Sequence, residues 1–230
     1  MPKFERFFVW TGGALFVGAL AYTIAWFGVT LSRSLPFAGW GPVAADLLLF
    51  SVFALHHSLL ARTPMKAALA RLVPDRLIRS VYVWVASILL LLVCLLWQPV
   101  GGEFDVSARL RWPLTFLQLV GIWIIARAVR LIDGLQLAGI RSSPAVLGSN
   151  EALQLGGPYR IVRHPIYLGW MLVVFASSRM TGGRLAFAAI SSLYLLLAMP
   201  WEERSLEAAF GEQYRRYKGQ VRWRLLPYVY

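Results

Sequence analysis

Apolar residues form four long stretches in the first 132 positions, and turn residues or charges separate them. Each stretch has about the 20 residues that an α-helix needs to cross roughly 30 Å of hydrocarbon. The pattern therefore predicts four transmembrane helices, over Phe7–Leu31, Pro42–Ala61, Val81–Gln98 and Trp112–Ile132.

A pair of shorter apolar stretches follows later in the chain. Pro165–Met180 and Leu185–Trp201 are joined by Thr181-Gly182-Gly183, which predicts a helical hairpin with a tight turn. At 1.5 Å per residue the first arm is about 24 Å long, less than the roughly 30 Å of the hydrocarbon core. We therefore expect either a locally thinned membrane or a hairpin whose inner end is recessed below the interface.

Beyond the hairpin, apolar and aromatic positions recur on one helical face, with charged positions elsewhere. This periodicity predicts a cytoplasmic amphipathic helix with Leu206, Phe210, Tyr214 and Tyr217 on its apolar face. The predicted fold class is all-α integral membrane, with about six transmembrane or membrane-embedded helices (the last two a short hairpin) and this C-terminal helix. Two regions are expected: a four-helix transmembrane region over 1–132 and a ligand-binding region over 133–230.

The composition agrees with a membrane protein. Hydrophobic residues make up 58% of the chain and charged residues only 15%. Soluble globular domains have about 25% charged residues, because they need a polar surface. A soluble domain is therefore excluded.

The net charge of +12 is unevenly distributed between the loops. If the N-terminus is cytoplasmic, the inside segments hold 18 of the 23 lysines and arginines, and only Arg33, Arg109, Arg111, Arg179 and Arg184 lie outside. This is the positive-inside bias of membrane proteins, and it places both termini in the cytoplasm. The basic charge therefore orients the chain and meets anionic lipid head groups, and we expect no nucleic-acid partner.

A connection of about thirty residues, from Asp133 to His164, shows little hydrophobic periodicity. Loops this long are usually functional or disordered. Because this connection leads directly into a polar and aromatic motif, we interpret it as functional.

The motif surrounds His164 at the start of the hairpin. Pro165 suits the first position of a helix and biases His164 toward an extended conformation. The free N–H groups at a helix start attract an anion such as a carboxylate, and Arg163 can bind the same anion through two hydrogen bonds. Tyr167 offers a face for a purine or a cation, and Gly169 permits close backbone approach. The alternative is an interfacial anchor.

Glu202-Glu203 follows the second arm. Two carboxylates at the end of an apolar segment are costly unless they are solvated or paired. Such oxygens can accept the two hydroxyl groups of a ribose. The alternative is that they begin a cytoplasmic helix, where acidic residues favour the N-terminal dipole.

His56-His57-Ser58 lies near the inner end of the second span. A neutral imidazole there can act as a base or bind haem or a metal. The alternatives are a core histidine and a second interfacial anchor. The chain shows no spacing typical of metal ligands and no Gly-x-Ser-x-Gly, Walker or Gly-x-Gly-x-x-Gly motif, so we expect no metal site and no soluble nucleotide fold.

The two polar clusters together resemble a family. The last seventy or so residues are similar to the isoprenylcysteine carboxyl methyltransferase superfamily of membrane enzymes, which use S-adenosylmethionine. The front half resembles its bacterial branch of methanethiol S-methyltransferases, through His57-Ser58-x-x-Ala61-Arg62, Val73-Pro74 and Arg79-Ser80-x-Tyr82. The superfamily pattern is Tyr159-Arg160-x-x-Arg163-His164-Pro165-x-Tyr167-x-Gly169, then Glu202-Glu203-x-x-Leu206-x-x-x-Phe210-Gly211-x-x-Tyr214-x-x-Tyr217, then Val221 and Leu226-Pro227.

The resemblance implies a methyltransferase in a bacterial inner membrane, with S-adenosylmethionine as its cofactor. It implies a cofactor site formed by Tyr159, Arg163, His164, Pro165, Tyr167, Gly169, Glu202 and Glu203, and a catalytic set of His57, Arg163 and Glu203. The acceptor is expected to be a small, methanethiol-like thiol or a lipophilic molecule.

Two alternatives stay open at the level of the sequence. One is an enzyme like the prenylcysteine carboxyl methyltransferases, which carry basic residues shortly before the glutamates, where this chain has the apolar run Leu195–Met199. The other is a non-enzymatic membrane protein, either structural or binding haem through His57 and His164. Neither the acceptor nor the oligomeric state follows from the sequence.

Overall fold

The computed structural model describes residues 2–60, 69–105, 108–141 and 153–230. Ala61, the last residue of the predicted second span, and Arg62 and Lys66 of the predicted inner loop lie outside the described residues. The middle of the connection that precedes His164 lies outside them too. The chain divides into two compact units. In the described ranges, the first unit contains 2–30, 41–98 and 133–141, and the second contains 31–40, 99–132 and 153–230.

The described residues are mostly helical, in agreement with the predicted class. Five of the helices within these ranges are long and apolar enough to cross a membrane by length and composition. In chain order the elements are α1 (Lys3–Val29), α2 (Trp40–Leu60), α3 (Asp75–Leu96), β1 (Glu103–Asp105), α4 (Arg111–Val129), α5 (Gly134–Leu137), α6 (Pro165–Phe175), β2 (Arg179–Thr181), α7 (Gly182–Phe210) and α8 (Glu212–Gln220).

The four apolar stretches of the first 132 residues are confirmed as the helices α1 to α4. Helix α3 begins earlier than predicted, at Asp75 rather than Val81. Pro74 precedes the helix, and Asp75 places an acidic side chain in its first turn, where it favours the helix dipole. Arg76 then forms a salt bridge with Glu5 of α1, with N···O of 2.6 Å. The extra turn is therefore stabilised by contacts that hydrophobicity does not report.

In the second unit, the two arms of the predicted hairpin have very different lengths. The first arm, α6, has only 11 residues, whereas α7 has 29 and runs through Pro200 and past Glu202-Glu203 to Phe210. The expectation that the second arm ends near Trp201 is wrong. The helix continues because its two glutamates have partners in the fold, so they do not need to lie in solvent at a helix end.

The expected turn at Thr181-Gly182-Gly183 is also more structured than predicted. Strand β2 pairs antiparallel with β1, with Glu103 opposite Thr181. The Thr181 hydroxyl then accepts a hydrogen bond from the backbone N–H of Arg184, at 3.2 Å, and so caps α7. A side-chain contact between Arg179 and Glu103 lies on the same ladder, with N···O of 2.9 Å. Three-residue strands are too short to give a periodic signal in the sequence.

Helices α4 and α6 lie in backbone contact where Gly121 meets Gly169. A Cβ atom on Gly169 would stand 2.7 Å from the carbonyl oxygen of Gly121 and 2.6 Å from a side-chain carbon of Ile125. The motif predicts a close backbone approach at Gly169. In this structure that approach is made between two helices, α4 and α6.

We expect Gly169→Ala to destabilise the protein by about 1–3 kcal/mol, the usual range for overpacking a close contact. The carbonyl of Gly121 cannot rotate away, so α6 must move as a whole. Thermal unfolding in detergent measures the effect. Gly18→Ala in α1, where an added Cβ meets nothing within 4 Å, is the matched control. Equal melting temperatures for the two variants would contradict the tight packing of α6 on α4.

Candidate functional site

Helix α6 starts where the motif predicts, but the backbone N–H groups just before it already form hydrogen bonds within the protein. Helix α6 begins at Pro165, and His164 precedes it with φ −121° and ψ 63°. The backbone N–H groups of Arg163 and His164 donate to the carbonyl oxygens of Trp223 and Arg224, both at 2.9 Å. The N–H groups of these two residues, immediately before α6, therefore hold the C-terminal segment in place.

Glu203 lies at the centre of a buried cluster of charges. The residue is only 4% exposed. Its Oε1 accepts a hydrogen bond from Arg163 Nε at 2.7 Å and lies 3.3 Å from His164 Nε2. Its Oε2 accepts from Arg224 Nε at 3.2 Å. Two guanidinium groups and an imidazole thus compensate one buried carboxylate.

Arg163 connects three parts of the second unit. Besides Glu203 on α7, it donates from Nη1 to the carbonyl oxygens of Val221 and Arg222, each at 2.9 Å. The guanidinium therefore joins the start of α6, the helix α7 and the C-terminal segment. This geometry favours a positioning role for Arg163, and its predicted contact with a ligand carboxylate stays a prediction.

Glu202 has a different environment, although it is the next residue. Its side chain is 45% exposed, and its Oε2 accepts a hydrogen bond from Tyr167 Oη at 2.5 Å. His164 Nδ1 lies 3.7 Å from the same oxygen. The rings of His164 and Tyr167 are stacked, with centroids 5.2 Å apart and planes 19° from parallel. An accessible carboxylate thus lies beside two aligned rings.

Tyr159 lies in the 3-10 helix Gly157–Arg160 that precedes the motif. Its carbonyl oxygen accepts a hydrogen bond from Tyr217 Oη at 2.8 Å. Burial, and then the negative charge of Glu202, raise the pKa of Tyr159 to about 12. Burial, and then the charge of Glu203, also raise the pKa of Tyr214 above its ordinary value. These phenols therefore stay protonated at neutral pH and can donate hydrogen bonds.

Two buried tyrosines belong to a small hydrophobic core in the same unit as the Glu203 cluster. Tyr214 and Tyr217 form a hydrophobic core with Val221, and Leu206 and Phe210 pack against it. Gly211 separates α7 from α8 with a φ of 55°, a value that glycine adopts without strain. The chain therefore turns between the two helices, and the aromatic and apolar residues of both helices pack in the same core.

Most of the predicted site residues come together in the second unit. Arg163, His164, Tyr167, Glu202 and Glu203 are linked by direct contacts.

His57 belongs to the first unit. There its Nδ1 lies 2.7 Å from Tyr82 Oη, and the ring of His56 stacks on Tyr82 with centroids 5.6 Å apart.

One residue of the cluster, Arg224, is missing from the sequence prediction. It contacts Glu203 through Nε and donates from Nη1 to Tyr230 Oη at 2.8 Å. A signal was available, because a buried carboxylate near an apolar segment requires cations, and Arg224 lies in a segment that already carries part of the motif. The spacing alone does not say which of Arg222 and Arg224 faces the carboxylate.

Comparison with curated proteins adds an independent observation. A methanethiol S-methyltransferase of Mycobacterium tuberculosis is 35% identical over 225 residues, which cover 93% of this chain and 92% of that protein. The chain belongs to the methanethiol S-methyltransferase family. A second member, from Crocosphaera subtropica, is 36% identical over 190 residues, or 80% of this chain and 74% of the relative.

More distant similarity extends beyond this family. A Nurim homolog of Drosophila melanogaster is 28% identical over 183 residues, which cover 73% of this chain and 71% of that protein. No family model matches the chain. No solved structure matches it either.

For a methanethiol S-methyltransferase family member, the chemistry of the cluster fits the expected methyl donor. S-adenosylmethionine has a carboxylate, a ribose, a purine and a sulfonium cation. The second unit offers a carboxylate on Glu202, stacked rings at His164 and Tyr167, and two guanidinium groups for the single charge of Glu203. The accessible carboxylate of Glu202 and the aromatic rings are the groups that a ribose and a purine would require, whereas both guanidinium groups are already bonded to Glu203.

Proposed function

We propose that this protein is an integral membrane methyltransferase that transfers a methyl group from S-adenosylmethionine to a small thiol such as methanethiol. The observation that carries the proposal is 35% identity over nearly the whole length of a methanethiol S-methyltransferase. The motifs around His164 and Glu203 support a wider kinship with the isoprenylcysteine carboxyl methyltransferase superfamily.

The proposed reaction is a displacement at carbon. S-adenosylmethionine supplies an activated methyl group on a sulfonium; the acceptor sulfur forms a new C–S bond to this methyl as the bond to the sulfonium breaks. The acceptor loses its proton, because the thiolate is the nucleophile. Such a displacement depends mainly on holding the two sulfur atoms in line. The contribution of this chain is therefore binding and orientation.

The residues divide into two groups in this proposal. Glu202, His164 and Tyr167 are proposed to contact the cofactor, since they combine an accessible carboxylate with aligned rings. Glu203 and Arg163 are proposed to hold this surface in place, because their polar atoms are engaged with each other and with the C-terminal segment. Tyr159, Pro165 and Gly169 shape the same region.

His57 is the proposed proton acceptor for the thiol. Its hydrogen-bonded contact with Tyr82 fixes the ring and connects one nitrogen to a hydroxyl group. A neutral imidazole held in this way has a ring nitrogen that can act as a general base.

The haem alternative requires an open nitrogen on His164. In the structure His164 Nε2 lies 3.3 Å from Glu203, and Nδ1 lies 3.7 Å from Glu202. Both nitrogens therefore face carboxylates, which favours the methyltransferase.

We further propose that both termini lie in the cytoplasm, with the protein in a bacterial inner membrane. In this orientation 18 lysines and arginines lie in the inside segments and 5 lie in the outside segments, which agrees with the positive-inside rule. Helix α6 has 11 residues, about 16 Å, so we propose that it enters the membrane without crossing it.

The test is methyl transfer by the purified, reconstituted protein. We expect label from methyl-labelled S-adenosylmethionine to appear in dimethyl sulfide when methanethiol is added. Parallel reactions contain a longer alkyl thiol, a prenylcysteine and an amine. Transfer to the prenylcysteine alone would contradict the proposed small-thiol acceptor and favour a lipophilic one. Transfer to none of the acceptors would contradict the proposal that the protein is an enzyme.

A further inference from the structure

A cavity of about 370 Å³ lies beside the charged cluster, entirely within the second unit. Its wall is formed by the end of the 3-10 helix that carries Tyr159 and by the segment that follows α8. Its lining includes Arg160, Ile161, Val221, Arg222, Trp223 and Tyr228. The volume lies in the usual range for a small-molecule pocket.

Two arginines, Arg160 and Arg222, line this cavity, and among its described lining residues there is no carboxylate. Over the described residues, neither side chain forms a salt bridge, whereas Arg163 and Arg224 are both paired with Glu203. Two guanidinium groups at one cavity, with no carboxylate partner in the described part of the chain, attract an anion with several oxygens, such as a phosphate.

The rim of the cavity is apolar and exposed. Ile161 is 61% exposed and Tyr228 is 87% exposed. The rings of Trp223 and Tyr228 are in contact, with centroids 5.4 Å apart. Tryptophan and tyrosine are enriched at the level of lipid head groups, where one end of the ring is apolar and the other is wet. Large apolar side chains beside these arginines are unfavourable in water but suit a membrane interface.

We propose that this cavity binds the head group of an anionic phospholipid, with the phosphate between Arg160 and Arg222. Exposed apolar side chains next to two cations match an amphiphile, which presents a phosphate and the start of an acyl chain together. A free inorganic phosphate would not use the apolar rim.

The site has a structural consequence for its surroundings. Val221 and Arg222 line the cavity and also supply the carbonyl oxygens that accept from Arg163. A bound lipid would therefore hold the same segment that holds Arg163. The proposal stands on this cavity and does not depend on the proposed reaction.

The test compares lipid binding to the full-length protein in a mild non-ionic detergent, measured by native mass spectrometry. Phosphatidylglycerol and phosphatidylcholine with the same acyl chains are titrated separately. We expect the wild type to prefer phosphatidylglycerol, and the double variant Arg160→Gln/Arg222→Gln to bind it roughly ten- to thirtyfold more weakly, since each well-placed cation contributes about 1 kcal/mol.

The matched control is Arg204→Gln/Arg216→Gln, which removes two exposed cations elsewhere in the same unit. It should bind phosphatidylglycerol like the wild type. Unchanged binding by the Arg160 and Arg222 double variant would overturn the proposal. Competition by inorganic phosphate at equal concentration would assign the cavity to a free anion. Loss of S-adenosylhomocysteine binding in that variant, with lipid binding unchanged, would assign it to the cofactor instead.

Discussion

Replacing Glu203 with alanine is expected to destabilise the protein by about 3–5 kcal/mol, the usual effect of removing one partner from a buried ionic cluster. The variant leaves Arg163 and Arg224 facing each other without the carboxylate that lies between them. The loss of stability arises from these uncompensated charges more than from the missing contacts. Fluorescence-detected thermal unfolding in detergent should show a melting temperature lower by roughly 10 °C.

Two further variants separate charge from shape. Glu203→Gln keeps the volume and one acceptor oxygen, so we expect an intermediate loss of stability. Glu202→Gln changes the neighbouring residue on the same helix, but its side chain is 45% exposed, and its melting temperature should stay close to that of the wild type. A Glu203→Ala protein that unfolds like Glu202→Gln would show that the cluster contributes little to the fold.

The second large effect is expected at Glu202, on binding rather than on folding. If Glu202 receives hydroxyl groups of the cofactor, as proposed, Glu202→Gln removes a charged acceptor from hydrogen bonds that contribute about 1.5–3 kcal/mol. We expect S-adenosylhomocysteine to bind about ten- to a hundredfold more weakly, measured by calorimetry. Tyr167→Phe should weaken binding by less, because it removes only the hydroxyl that donates to Glu202.

Glu212→Gln is the control for this measurement. It removes the same charge from an exposed side chain of α8, which pairs with Arg215. Its affinity should equal that of the wild type. A Glu202→Gln variant that binds S-adenosylhomocysteine normally would remove Glu202 from the cofactor site, while the methyl-transfer assay would still decide whether the protein is an enzyme.

Glu202 and Glu203 are neighbours in the chain but have different surroundings in the structure. From the sequence, Glu202 and Glu203 are equivalent neighbours at the end of an apolar segment, and either can receive a ribose. In the structure they point to different surroundings, since consecutive residues of a helix lie about 100° apart around its axis. One carboxylate is buried among Arg163, His164 and Arg224, and the other remains accessible.

The class of the protein and the motif around His164 follow from local features of the chain. Apolar segments of membrane length are a local property, so α1 to α4 follow from composition and spacing, and Pro165 marks the start of α6 because of its own geometry. The motifs around His164 and Glu202 also resemble those of a membrane methyltransferase superfamily, and this resemblance rests on residue types and spacing alone.

The length of α7, the position of Arg224 and the different surroundings of the two glutamates follow from tertiary contacts. Each of these depends on contacts between residues distant in the chain, such as Arg163 with Glu203 and Arg224 with Glu203. A helix can carry a carboxylate into a protein interior only when cations from other segments compensate the negative charge. Hydrophobic periodicity reports the environment of one segment at a time, and so it cannot show where those cations lie.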